Sequence, residues 1–154
     1  MPNIRRPTAT SSLADWQAFL GQLDAAPRPP RDQVADSHHF LTIVHALERR
    51  LGCSCQYEVG DGLQNEAVYG SMLLPQEVLV DPYAAWVRAS ETGNLATVWD
   101  WDGAVKQDQL AIIVATLGEF GLFYVPTFVL DTPYTGRADP PSPPTWGERL
   151  FGYA

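Results

Sequence analysis

The hydrophobic period of this chain changes at Gly52. Upstream, apolar residues recur every three or four positions. From Cys53 they alternate, as in "CSCQYEV", and the helical period returns only after Gly103. Helices that precede a run of strands, instead of alternating with them, do not build a doubly wound parallel sheet. The order predicts an α+β fold, an antiparallel sheet of about four or five strands packed against three helices.

Proline sets the limits of that body. Ten of the thirteen prolines fall within residues 2–30 and 133–144, framing a stretch from about Val34 to Leu130. The 154 residues suit a single domain, 1–154, large enough to bury a core without disulfides or metal. Residues 1–10 read as an extended arm, and 131–154 as a Pro-rich spacer followed by an aromatic tail.

A first helix is announced by "SSLAD", where Ser12 caps and Asp15 follows three residues on. Leu13, Trp16, Leu20 and Leu23 share one face, Phe19 widens it, and "APRPPR" ends it. A second helix runs from about Ser37 to Leu51, with Asp36 or Ser37 as cap and Gly52 as stop. Its buried stripe is Phe40, Ile43, Val44, Leu47 and Leu51. His38, His45 and Arg49 fall on the solvent side. The two histidines stand about 10.5 Å apart along the axis, too far to chelate one ion.

"CSCQYEV", "EAVYGSMLLP" and "AAWVRAS" then read as strands. "ETGN" (91–94) joins 84–90 to 95–101 as a hairpin. Leu95, Thr97, Trp99 and Trp101 share one face of its second strand, and Ala96, Val98 and Asp100 share the other. A third helix, about Ala104 to Phe120, carries Leu110, Ile113, Val114, Leu117 and Phe120 and stops at Gly121. "LFYVPTFVL" is expected as a last strand or extended segment, broken by Pro126.

Charge narrows the partners. The formal net charge is −8. Residues 53–136 alone hold eleven acids against Arg88 and Lys106, a net of −9. Such a centre repels nucleic-acid phosphates and anionic membranes and attracts a basic protein. No apolar run approaches the roughly 18 residues of a membrane span, and no apolar stretch follows Arg5 and Arg6, so a cytoplasmic protein is expected. Cys53 and Cys55 would lie on one face of a strand, where a bridge between them is strained, and are expected as buried free thiols.

No pattern fixes a catalytic chemistry. A Gly-rich phosphate loop is missing, "VYGSM" lacks the second glycine of a nucleophile elbow, and the three histidines sit early on an exposed helix face. Carboxylates are too abundant for a glycosidase-like pair to stand out by spacing. No metal site and no cofactor is expected.

The densest candidate site is "TVWDWDG". Trp99 and Trp101 on one strand face would make a stacking platform for a sugar or a partner side chain. Asp100 and Asp102, with Glu91 at the hairpin turn, would accept hydrogen bonds from Arg, Lys or hydroxyls. The plainer alternative has the tryptophans filling the core, Asp100 facing water and Asp102 capping the next helix. "LDTPYTG" reads as a turn. The closing "TWGERLFGYA" forms a short amphipathic helix capped by Thr145, with Trp146, Leu150 and Phe151 as anchors. A segment so short cannot persist alone in water, so it is expected to dock on the domain's own body.

The run "NLATVWDW", the apolar helix, "FGLFYVP", "VLDTPYTG" and "TWGERLFGYA" together resemble small bacterial immunity-type proteins, encoded beside polymorphic toxins. The likeness covers residues 94–154. It implies a non-catalytic cytosolic inhibitor that binds one toxin domain through an acidic, aromatic surface. The negative centre would suit a basic, nuclease-like toxin. A small-ligand or carbohydrate-binding module using the Trp99/Trp101 strand, and an enzyme, are the alternatives.

Overall fold

A computed structural model describes residues 6–8, 11–27, 30–60, 63, 67–80, 84–100, 103–136 and 144–152. The elements run α1 (Leu13–Ala25), α2 (Gln33–Leu51), β1 (Gln56–Val59), β2 (Val68–Leu73), β3 (Ala85–Ser90), β4 (Leu95–Asp100), α3 (Gln107–Glu119), β5 (Phe123–Tyr124), α4 (Thr127–Leu130) and α5 (Trp146–Phe151). The fold is α+β, with a five-stranded sheet in the order β1-β2-β3-β4-β5. The first four strands are antiparallel, but β5 pairs parallel to β4, so the sheet is mixed. No helix among the described residues is long and apolar enough to cross a membrane.

Local chemistry explains most boundaries. The Ser12 side chain accepts from Asp15 N and starts α1. Trp16, Phe19 and Leu20 are buried there, whereas Leu13, assigned to the same stripe, is 40% exposed. Helix α2 begins earlier than its apolar pattern suggests. Asp32, not Asp36 or Ser37, is the cap and accepts from Val34 N and Ala35 N. Asp36 instead holds Arg31 through two hydrogen bonds. Gly52 ends α2 in the left-handed conformation.

Cys53 and Cys55 lie in the turn between this stop and β1, not on a strand, because Cys53 N bonds back to Glu48 O and Cys55 N to the Glu48 carboxylate. Both are free thiols, hydrogen-bonded to each other, and burial pushes Cys55 up to about 12. Helix α3 starts three residues later than expected, at Gln107. Val105 and Lys106 are first drawn into contact with Leu79 and Val78, through a β-bridge and the bond from Lys106 N to Val78 O. The expected final strand is reduced to Phe123–Tyr124. Pro126 then opens the short α4, where its fixed φ suits a helix start. The short α4 thus joins the three helices expected for the body, and α5 is the helix expected in the tail.

Two cores sandwich the sheet. On one face Phe40, Ile43, Val44 and Leu47 of α2 and Ile113 and Leu117 of α3 cover Met72, Val87, Ala89, Ala96 and Val98. On the other, α1, α4 and α5 cover Val68, Leu95 and Val125. A bulge between Val68 and Gly70 lets both cores use β2: Val68 joins the second, while Gly70 lies under the Phe40 ring.

The tail belongs to the second core. Trp146, Leu150 and Phe151 are each 0% exposed, and Thr145 caps α5 by accepting from Glu148 N. The Ser90 hydroxyl donates to Leu150 O, tying α5 to β3. Thr145 pairs with Pro133 in a β-bridge, so the chain returns beside the point where it left.

Candidate functional site

Among the described residues, the second sheet face is covered by helices along only part of its length. Near the β3–β4 hairpin it lies under α1, α4 and α5. Towards the other end of the strands it presents two rows. Gln56, Leu73, Trp86 and Trp99 stand side by side across β1 to β4, and next to them Glu58, Ser71, Arg88 and Thr97. Trp86 and Trp99 are direct cross-strand partners, both part-exposed. The Arg88 guanidinium lies 5.7 Å from the centre of the Trp86 ring, within cation–π range. Thr97 is buried and donates to Val125 O, which marks where the covered half begins. A groove of about 230 Å³ runs between Trp86, Arg88, Ser71 and Leu73 and the exposed edge strand β1.

The residues expected to form one site are divided. Trp99 is on this platform, but its neighbour is Trp86 from β3. Trp101 and Asp102, and the side chain of Asp100, lie outside the described residues. Glu91 is remote from the backbone of Asp100. It follows Ser90 at the hairpin, whereas Asp100 pairs with Ala85, a separation of roughly 20 Å at about 3.3 Å per residue. Sequence reading missed Trp86 because "AAWVRAS" was read only as a strand. The usable signal was register: with "ETGN" as the turn, Trp86 falls opposite Trp99.

Glu91 borders a different cleft, of about 360 Å³, between the start of α2 and the bulge of β2. Arg31 is its fixed centre. Nε and Nη2 donate to the two Asp36 oxygens at 2.8 and 3.1 Å, Nη1 donates to Glu91 O at 3.0 Å, and the guanidinium sits 4.6 Å from the Tyr69 ring centre. Burial disfavours the Arg31 charge, but Asp36 outweighs that and its pKa is raised. Tyr69 is pushed up to about 12, chiefly by burial, so its hydroxyl stays protonated. The bulge aims Tyr69 here, and nothing in the alternating pattern of β2 foretold it.

His38 and His45 are exposed on α2, as their helix face requires. Among the described residues, no three of His, Cys, Asp or Glu gather as metal ligands. No family model, no curated protein and no solved structure matches the chain.

Proposed function

We propose that this chain is a non-catalytic binding protein of the immunity type, which holds a basic toxin domain through the open half of its second sheet face. One observation carries the reading: the cross-strand Trp86–Trp99 pair stands part-exposed on a face whose other half is fully covered. Tryptophan in a shallow groove with a polar rim has the composition of a binding hot spot. The carboxylate of Glu58 and the amide of Gln56 line the same groove as Trp86, so a lysine or arginine entering it meets a carboxylate and an aromatic wall together. The net charge of −9 in residues 53–136 favours such a partner over nucleic acid.

The test is co-purification with the products of the genes flanking its own, followed by titration calorimetry. Trp86→Ala with Trp99→Ala should weaken the complex by about 100-fold or more without lowering the melting temperature by more than a few degrees. The association rate should fall steeply as salt rises, because rim charges mainly steer encounter. Binding that ignores both tryptophans excludes this face. A second reading has a sugar ring stacked on the same pair, favoured by the planar polar groups of Gln56, Glu58 and Arg88 around it. Saturable quenching of tryptophan fluorescence by oligosaccharides would select that reading.

A further inference from the structure

We propose that β1 is a self-pairing edge: two copies of this chain join through antiparallel β1 strands, in the register that sets Tyr57 opposite Tyr57 of the second copy. Such a dimer uses the rim of the sheet and does not depend on the sheet-face reading, which concerns a foreign partner on one face.

The ladder decides which backbone groups of β1 point outward. Along an inner antiparallel strand, successive residues turn their N–H and C=O to one neighbour and then to the other. Leu74 N donates to Ala85 O at 2.9 Å, continuing the register in which Leu73 faces Trp86. Leu74 and Met72 therefore turn to β3, while Leu73 and Ser71 turn to β1, opposite Gln56 and Glu58. Tyr57, between those two, aims both its N–H and its C=O away from the sheet. Cys55 N, two residues earlier, points the same way, and there the Glu48 carboxylate accepts it at 2.9 Å. Among the described residues no such cap serves Tyr57. Gln56, Tyr57 and Glu58 are all exposed, Tyr57 by 44%.

A second copy fits this edge. A two-fold axis perpendicular to the sheet keeps both faces continuous when the strands pair about a residue, and that residue can exchange hydrogen bonds with its copy when it points outward. Tyr57 meets both conditions in mid-strand; Val59, the next outward position, ends β1. Each Tyr57 N–H then donates to the other Tyr57 carbonyl. The neighbours complement each other as well. Gln56 stands opposite Glu58 of the second copy and Glu58 opposite its Gln56, so an amide donates to a carboxylate twice and no like charges face one another. The two phenol rings meet on the α2 side of the sheet, where Tyr57 lies next to Met72.

The experiment is sedimentation velocity on the full chain, from micromolar to near-millimolar concentration, with amide hydrogen exchange read alongside. A monomer–dimer equilibrium is expected. Each copy carries a charge of −8, so added salt should tighten the dimer, the opposite of its effect on a basic partner. Exchange at the Tyr57 amide should slow as the dimer forms, while Glu58, bonded to β2, is protected throughout. Tyr57→Pro should keep the β1–β2 ladder, because the lost N–H points outward, and weaken the dimer by about tenfold or more. Gln56→Lys, which sets an ammonium opposite Glu58 of the second copy, should tighten it by about threefold, and Gln56→Glu should weaken it by about as much. The Trp86→Ala, Trp99→Ala variant should dimerise as the unaltered chain does, which separates this edge from the sheet-face reading. A monomer at every concentration and salt, a dimer that survives Tyr57→Pro, or one indifferent to both Gln56 variants would each overturn the proposal.

Discussion

Gly70 is where the two faces of the sheet are reconciled. The bulge places it under Phe40, and any Cβ there overlaps the Phe40 ring. Gly70→Ala should cost about 1–3 kcal/mol, the usual cost of overpacking a filled core. Phe40→Leu in the same chain should recover part of that loss, although alone it is destabilising. Urea unfolding of the two single variants and the double variant measures the coupling, and additive costs would rule out the clash. Tyr69, beside it, makes stability depend on pH. Its hydroxyl ionises near 10.0 when unfolded and near 12 in the fold, and the Cys55 thiol moves from 9.0 to about 12. Between those values the unfolded chain has released protons that the folded chain keeps, so rising pH favours unfolding. The stability held by the neutral forms is complete below about pH 9 and is lost as pH climbs towards 12, by up to about 1.4 kcal/mol per pH unit for each group. Tyr69→Phe and Cys55→Ala should each flatten that alkaline slope, and an unchanged slope in both would refute the assignment.

Helix caps show what was legible in the chain and what was not. "SSLAD", Gly52 and Thr145 each carry a complete local signal, and each acts in the structure as read. Asp32 was hidden because Gln33, Val34 and Ala35 are exposed and add nothing to the apolar stripe that locates α2. Asp32→Ala should therefore cost about 1 kcal/mol by thermal or urea unfolding. Ser37→Ala, at the position first expected to cap, should cost little. Contacts between distant elements were not legible at all. Asp24 of α1 has a side chain only 2% exposed, accepts from Arg149 of α5 at 2.6 Å, and is bonded by the Tyr134 hydroxyl. Nothing local pairs residues 24, 134 and 149. "LDTPYTG" read as a surface turn, yet it delivers the Tyr134 ring to Trp146 at 4.7 Å between centres. Arg149→Met should cost about 3 kcal/mol or more, because it takes a bonded cation away from a buried carboxylate. Tyr134→Phe should cost less, about 1–2 kcal/mol, since it removes one hydrogen bond and keeps the ring. The reverse order in urea unfolding would show that the tyrosine, not the ion pair, holds the tail.

At the scale of the molecule, the class of fold follows from the period change at Gly52, while the parallel β5 and the site do not. A two-residue strand has no periodicity to read, and a platform made from two strands exists only once register is known. The tail joins these levels. Helix α5 has six residues, too few to hold together in water, so its structure is supplied by the groove of α1, α4 and β3. Each of Trp146, Leu150 and Phe151 contributes on the order of 1.5–3 kcal/mol by burial. Domains of this size are stable by only about 5–15 kcal/mol in total. Together the three anchors come to about 4.5–9 kcal/mol, a large fraction of that net stability, so the tail is part of the core, not an accessory. Deleting 145–154 should unfold the protein or lower its melting temperature by many degrees, and should expose Leu95, Val125 and Leu130 to a dye that fluoresces on apolar surface. Restoring the missing residues as a separate peptide should reverse both effects at concentrations above its dissociation constant. A truncated chain that melts like the full one and binds no dye would mean that the groove closes without α5 and that the tail is free to serve a partner.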